Sequence, residues 1–297
     1  MQLPSVRVQC TASARSEVTM TSNRFSRLVA IIAMAVVTAP VVATPASGAA
    51  DVGIQATTFA DEFNGPAGTP VDASKWRFET GNNGGNNREY QYYTNRTQNA
   101  SMDGQGNLVI TARRENPGNY NCWYGRCQYT SARLNTSGKF SQTYGHFEIR
   151  MKMSQGQGMW PAFWMMGTTG GGWPNNGEID VMENIGREPN TVHGTIHGPG
   201  YSGAGGIGAA FNGPRFASGF HTFRLDWAPN SLTWSVDNTV YQRRTPADLG
   251  GKQWVYNNRP FYLLLNLAVG GDWPGAPDSS TPMPNTIVVD YVRVTTL

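Results

Sequence analysis

The segment His146–Met153, "HFEIRMKM", restricts the fold more than any other part of the chain. Phe147, Ile149, Met151 and Met153 alternate with His146, Glu148, Arg150 and Lys152. A period of two puts each set on its own face of a half-buried strand. Other stretches read the same way. "TFRLDWAPNSLTWSVDN" sets Phe223, Leu225 and Trp227 before a Pro-Asn turn and Leu232, Trp234 and Val236 after it. That is a hairpin pattern with both tryptophans in the core. "NLVITA" and "TIVVDYVRV" are further strands, and "FYLLLNLAV" is a continuous apolar run, expected of a strand covered on both faces. Glycine and asparagine punctuate the intervals, most densely over 81–87 and 200–208. Long amphipathic helical patterns are hard to find. Many short strands with Gly-rich turns imply an all-β sandwich or barrel.

Residues 1–49 stand outside this pattern. Arg24 and Arg27 precede the apolar run Leu28–Val37, and the small residues "TPASGAA" follow. This is the layout of a secretory signal, with cleavage expected near Ala49 and Ser47 and Ala49 at the small-residue positions. Met20 is a second plausible start, because the preceding residues add nothing to such a signal. An uncleaved membrane anchor is the competing reading, but the run is much shorter than the ~20 apolar residues a spanning helix needs. Residues 50–297 carry no repeat and no Pro/Ser-rich linker, so a single exported domain is expected there, with no membrane attachment after cleavage.

The leader also accounts for the charge. Four of the 23 basic residues and one of the 20 acidic ones fall within residues 1–49, leaving 19 of each. Residues 50–297 therefore carry no net charge favouring nucleic acid or anionic lipid. Cys10 belongs to the leader. Cys122 and Cys127, in "NCWYGRC", are expected to close one small disulfide loop in an exported protein. Too few ligands lie nearby for a metal site.

The stretch "NNGEIDVMENIG" (175–186) holds Glu178, Asp180 and Glu183. In a plain strand the third acid points away from the first two. A β-bulge restores it to their face, and Met182 is the expected extra residue. The end carboxyls then lean towards a separation of roughly 5–5.5 Å, that of a retaining glycosidase. One acid attacks the anomeric carbon and the other protonates the leaving oxygen, while Asp180 keeps their ionisation states different. A solvated acidic edge strand is the plainer reading, and a calcium site a third. The interleaved Ile179, Val181 and Met182 weigh against the former, and the lack of a loop glycine and oxygen-ligand spacing against the latter.

"GEIDVME" resembles the signature of glycoside hydrolase family 16, and the extra Met182 resembles its laminarinase-like branch. "GQGMWPAFWMMG", "HGTIHGPGYSG" and "LLLNLAVGGDWPG" agree, so the similarity runs from about Phe59 to Val294. The resemblance implies a β-jelly roll of two curved antiparallel sheets with a concave substrate cleft. It implies a secreted, monomeric, retaining endo-β-1,3-glucanase acting on laminarin-type glucans, with no cofactor for catalysis. Glu178 is then the nucleophile, Glu183 the acid/base and Asp180 the assisting carboxylate. A β-1,3-1,4-glucanase (lichenase) or galactan-cleaving relative is the alternative enzyme, and a β-glucan-binding receptor the non-enzymatic one.

The resemblance also sorts the remaining candidates. Pattern alone assigns Trp160 and Trp164 to the core; the family match moves both to the cleft, their flat faces towards glucose rings and their indole N–H groups free to donate. Trp273, in the loop "GGDWPG", is a loop-borne contact. His193 and His197 share a strand face. Zinc binding is set aside, because Gly194 and Gly198 argue against a helix and no Glu follows His193. His197 is read as a cleft hydrogen-bonder and His193 as structural. Asn87 and Arg133 fall where family members place sugar-binding polar groups. Asn266, a buried amide, needs partners from ligand or a neighbouring carboxylate. Glu62, Gly106 and Asp290 match positions that hold a structural Ca²⁺ in many members, on the convex side away from the cleft.

Overall fold

A computed structural model describes residues 55–82 and 87–297. The expected leader, its cleavage near Ala49 and Cys10 lie outside the described residues. One compact unit extends over Gly53–Leu297. Among the described residues no helix is long and apolar enough to cross a membrane.

Two large antiparallel sheets, of eight and seven strands, dominate the unit, with two small two-stranded sheets beside them. His146–Met153 behaves as its alternation demands. The strand Gly145–Lys152 buries Phe147, Ile149 and Met151 completely and turns His146, Glu148 and Arg150 outward. It lies near the middle of the eight-stranded sheet, between His221–Ala228 and Asn285–Thr295. The hairpin is formed as expected: Ala228 pairs with Ser231 across the Pro-Asn turn, and Trp227 and Trp234 are fully buried.

The seven-stranded sheet carries the acidic strand. Its order is Ile207–Asn212, Thr191–His197, Glu178–Glu183, Met159–Gly167, Phe261–Val269, Arg133–Asn135 and Arg77–Glu79. Inward residues such as Phe163, Met165, Ile179, Leu263 and Leu265 meet Phe147, Ile149, Phe223 and Val292 of the other sheet in one hydrophobic cluster. The apolar strand Phe261–Val269 is buried along almost its whole length, covered on both faces as its composition implies. The closed jelly-roll sandwich thus leaves one sheet face free to build a cleft.

Candidate active site

The bulge in Glu178–Glu183 is present, but its extra residue differs from the one expected. Against Met159–Gly167, Phe163 pairs with Met182 and Trp164 with Asp180, so Val181 has no partner. Against Thr191–His197, Val181 and Met182 together oppose Gly194. Both are buried in the core, Val181 at 3% exposure and Met182 at 0%. Two successive inward side chains turn Glu183 back to the face of Glu178 and Asp180. Gly194 is required opposite the bulge: a Cβ there would lie 2.5 Å from the Tyr241 hydroxyl and 2.6 Å from Trp234 Cδ1. The buried indole N–H of Trp234 donates to the Asp180 carbonyl at 2.8 Å, tying the acidic strand to the opposite sheet. Asn184 then donates to the Glu188 and Thr191 carbonyls and sets the following turn.

The three acids open into one cleft lined also by Asn87, Glu89, Arg133, Trp160, Ala162, Trp164, Asn266 and Ala268. Two of the three carboxylates accept an indole hydrogen bond. Trp173 Nε1–H donates to Glu178 Oε2 at 2.5 Å, and Trp160 Nε1–H donates to Glu183 Oε1 at 3.1 Å. His197 Nε2 lies 3.0 Å from Asp180 Oδ2, off the direction of a formed hydrogen bond. Glu178, Asp180 and His197 each bring a ligating atom within 4.8 Å of the other two.

Packing three carboxyls into a part-buried cleft disfavours ionising all of them. Burial, then repulsion from Asp180, raises Glu178 to about 8. Burial raises Asp180 to about 7. Burial, with the charges of Asp180 and Glu178, lifts Glu183 well above the carboxylate range. The first proton lost belongs to the cluster, and one charged carboxylate beside a protonated one is the pairing a two-carboxyl glycosidase uses.

A stability signature follows. Folded-state values above the unfolded ones give stability that is complete at acidic pH and lost as pH rises through the folded values of about 7 and about 8. Asp180→Asn removes one of these groups. Between about pH 5 and pH 9 its loss of stability should be ~2 kcal/mol smaller than that of wild type, roughly 4–8 °C in Tm for a domain of this size. Parallel thermal melts check this. An equal loss in both proteins contradicts the raised carboxyl.

The aromatic residues reach the cleft, with different hydrogen-bonding roles from those expected. Trp160 and Trp164 both line it. Their N–H groups are already engaged, Trp160 on Glu183 and Trp164 on Asn266 Oδ1 at 2.8 Å, so neither indole leaves a free donor in the cleft. Asn266, which lines the cleft, accepts from Trp164 and donates to the Tyr93 hydroxyl at 3.3 Å, so its protein partners are not the catalytic carboxylates. Arg133 sits 4.7 Å over the Trp164 ring and 2.9 Å from Glu79. Trp273 packs edge-on against Trp160 and His193 at the rim, which gives His193 its structural place. His197 stands beside Asp180. Asn87 reaches the cleft from an exposed loop.

Two residues escape the sequence reading. Trp173 lies in a Gly/Pro loop like that of Trp273, the signal that should have marked it. Glu89 alternates with Gln91 and Tyr93, and its buried carboxylate accepts from Gln91 at 2.6 Å and from the Tyr93 hydroxyl at 3.1 Å.

Away from the cleft, the two candidate calcium carboxylates hold arginines. Glu62 forms a bidentate pair with Arg293 at 2.8 Å, and Asp290 is paired with Arg150. Side-chain chelation by Glu62 is therefore not what the structure has. Nearest the Cβ position of Gly106 are the Asn64 side-chain oxygen at 3.3 Å and the main-chain oxygen of Glu62 at 4.0 Å, so this corner offers both kinds of oxygen. Cys122 and Cys127 are disulfide-bonded, with their Cα atoms 5.0 Å apart.

Comparison with known proteins agrees with this geometry. The family model "Glycosyl hydrolases family 16" matches residues 86–293. The chain belongs to glycosyl hydrolases family 16. As a family 16 chain it is 41% identical over 249 residues to a beta-glucanase of Rhodothermus marinus, covering 80% of this chain and 83% of that protein. It is 39% identical over 257 residues to a glucan endo-1,3-beta-glucosidase of Cryptopygus antarcticus, covering 78% and 89%. The solved laminarinase catalytic domain of Thermotoga maritima superposes with a TM-score of 0.75 at 42% identity, over 82% of this chain and 98% of that one.

Proposed function

We propose that residues 50–297 form a single exported catalytic domain, a retaining endo-β-1,3-glucanase acting on laminarin-type glucans. The observation that carries this reading is the bulged strand, which presents Glu178 and Glu183 to one cleft with Asp180 between them. The relatives named above, a beta-glucanase and a glucan endo-1,3-beta-glucosidase, support the linkage.

The chemistry is a double displacement. Glu178 attacks the anomeric carbon as the bond to the leaving oxygen breaks, and Glu183 gives that oxygen its proton. Water then breaks the glycosyl–Glu178 ester while Glu183 takes up the water's proton. Asp180 and the Trp173 N–H hold Glu178 in place, and the Trp160 N–H orients Glu183. No cofactor enters these steps.

A product profile on laminarin, lichenan, agarose and cellulose tests the assignment. Laminarin should be cut fastest, to short oligosaccharides. Faster cleavage of lichenan or agarose transfers the reading to a β-1,3-1,4-glucanase or a galactan-cleaving enzyme, since loops set linkage on a shared strand. Binding without cleavage of any of them makes the chain a receptor, against which the presence of both glutamates argues. N-terminal sequencing of exported protein should begin near residue 50, and a start beyond about Thr57 contradicts the leader.

A structural Ca²⁺ near Glu62, Gly106 and Asp290 belongs to the same proposal, held in part by main-chain oxygens. An ion bound by the folded state alone stabilises by mass action. Chelator should lower Tm and leave a brief cold assay unchanged. No Tm shift, with no metal by elemental analysis, removes calcium from the account.

A further inference from the structure

We infer that Trp123, at the tip of the disulfide-closed hairpin, is an outer subsite that binds a glucan unit beyond the catalytic cleft. The inference rests on the β-1,3-glucanase reading above. Cys122 and Cys127 close a two-stranded turn, Asn121–Cys122 against Gly125–Arg126, with Trp123 and Tyr124 at its tip. Trp123 is 47% exposed. A single exposed tryptophan is ordinary on a protein surface. This one is held from several sides at once. Its main-chain N–H donates to Asn82 Oδ1 at 3.1 Å, and its indole N–H donates to the Glu89 carbonyl at 2.8 Å. Its ring meets Tyr90 edge-on at 5.6 Å and Tyr124 at 5.3 Å. The Tyr124 hydroxyl donates to the Tyr90 carbonyl at 2.7 Å.

These anchors place Trp123 beside the cleft. Glu89, whose carbonyl holds the indole, puts its side chain into the cleft wall, and Asn87 lies two residues away on the same wall. With both N–H groups engaged, what the residue still offers is a flat apolar surface. Such a surface suits the C–H face of a sugar ring and gives no hydroxyl-specific readout. Pre-organisation by the disulfide and the tyrosines lowers the ordering cost of binding there. The ligand class is therefore a β-glucan chain long enough to leave the cleft over this rim.

Calorimetric titration with laminaritriose and laminariheptaose, in a background inactivated at Glu183, reads the subsite directly. Trp123→Ala should weaken heptaose binding on the order of tenfold and leave triose binding unchanged. Trp123→Phe keeps an aromatic face without the indole N–H and should restore most of the heptaose affinity. Three results overturn the subsite: equal heptaose affinity in Trp123→Ala and its parent, parallel losses for triose and heptaose, or Trp123→Phe behaving like Trp123→Ala. The last two make Trp123 a support for the cleft wall. If wild-type protein cleaves neither oligosaccharide and the parent binds neither, the glucanase reading fails and the subsite with it. Ordinary cleavage by wild type together with any of the three results rejects the subsite alone.

Discussion

Glu178→Gly should lower hydrolysis of β-1,3-glucan on the order of 10⁴-fold or more, because no other group can form the glycosyl-enzyme. The shortened side chain leaves space beside Asp180 and the Trp173 N–H. Azide or formate can enter that space and attack the anomeric carbon once. With a substrate carrying a good leaving group, either anion should restore turnover and give a product of inverted configuration. Activity within tenfold of wild type, or rescue with retained configuration, assigns the nucleophile elsewhere. The fold should survive the change, since Glu178 lies at the start of its strand and the bulge downstream is held by the core side chains of Val181 and Met182.

Glu183→Ala separates the second role. The loss on polymeric glucan should be roughly 10²–10⁴-fold, the usual contribution of general acid–base catalysis. On an aryl β-glucoside with a good leaving group the first step needs little protonation, so the glycosyl-enzyme should form and accumulate. Azide then attacks that intermediate from the face opposite Glu178 and releases a product of retained configuration. The opposite stereochemistry in the two variants is the diagnostic pair. A Glu183→Ala enzyme equally impaired on every leaving group contradicts its role as acid.

How far these roles could be read in advance follows from the physics of each element. Strand alternation marks His146–Met153 and the Pro-Asn hairpin, because an inward-facing strand in a sandwich has one apolar side and one polar side. The bulge was legible as a necessity, since without it Glu183 faces the core. Its position was not. Val181 and Met182 are both apolar, both point inward, and differ only in which one the neighbouring strand leaves unpaired. The indole N–H partners were equally hidden. Trp160 and Trp164 share a face by spacing, but whether their donors meet a sugar or a neighbour depends on Glu183 and on Asn266, which lies 102 residues from Trp164 in the chain. Glu89 was missed because its role comes from two partners on the short strand that follows it and from the cleft they fold into. The arginines on Glu62 and Asp290 come from distant strands, and local sequence says nothing of them.

The central claim is that Glu178 and Glu183 act as a close pair with one covalent intermediate between them. Proton NMR of the first sugar released by wild-type enzyme, recorded before mutarotation, tests it directly. The retaining account predicts that a β-linked glucan yields the β-anomer first, with α appearing only as the solution equilibrates. An initial α-anomer would mean direct attack by water across a wider carboxylate gap, and would contradict both the nucleophilic role of Glu178 and the pairing that the bulge creates.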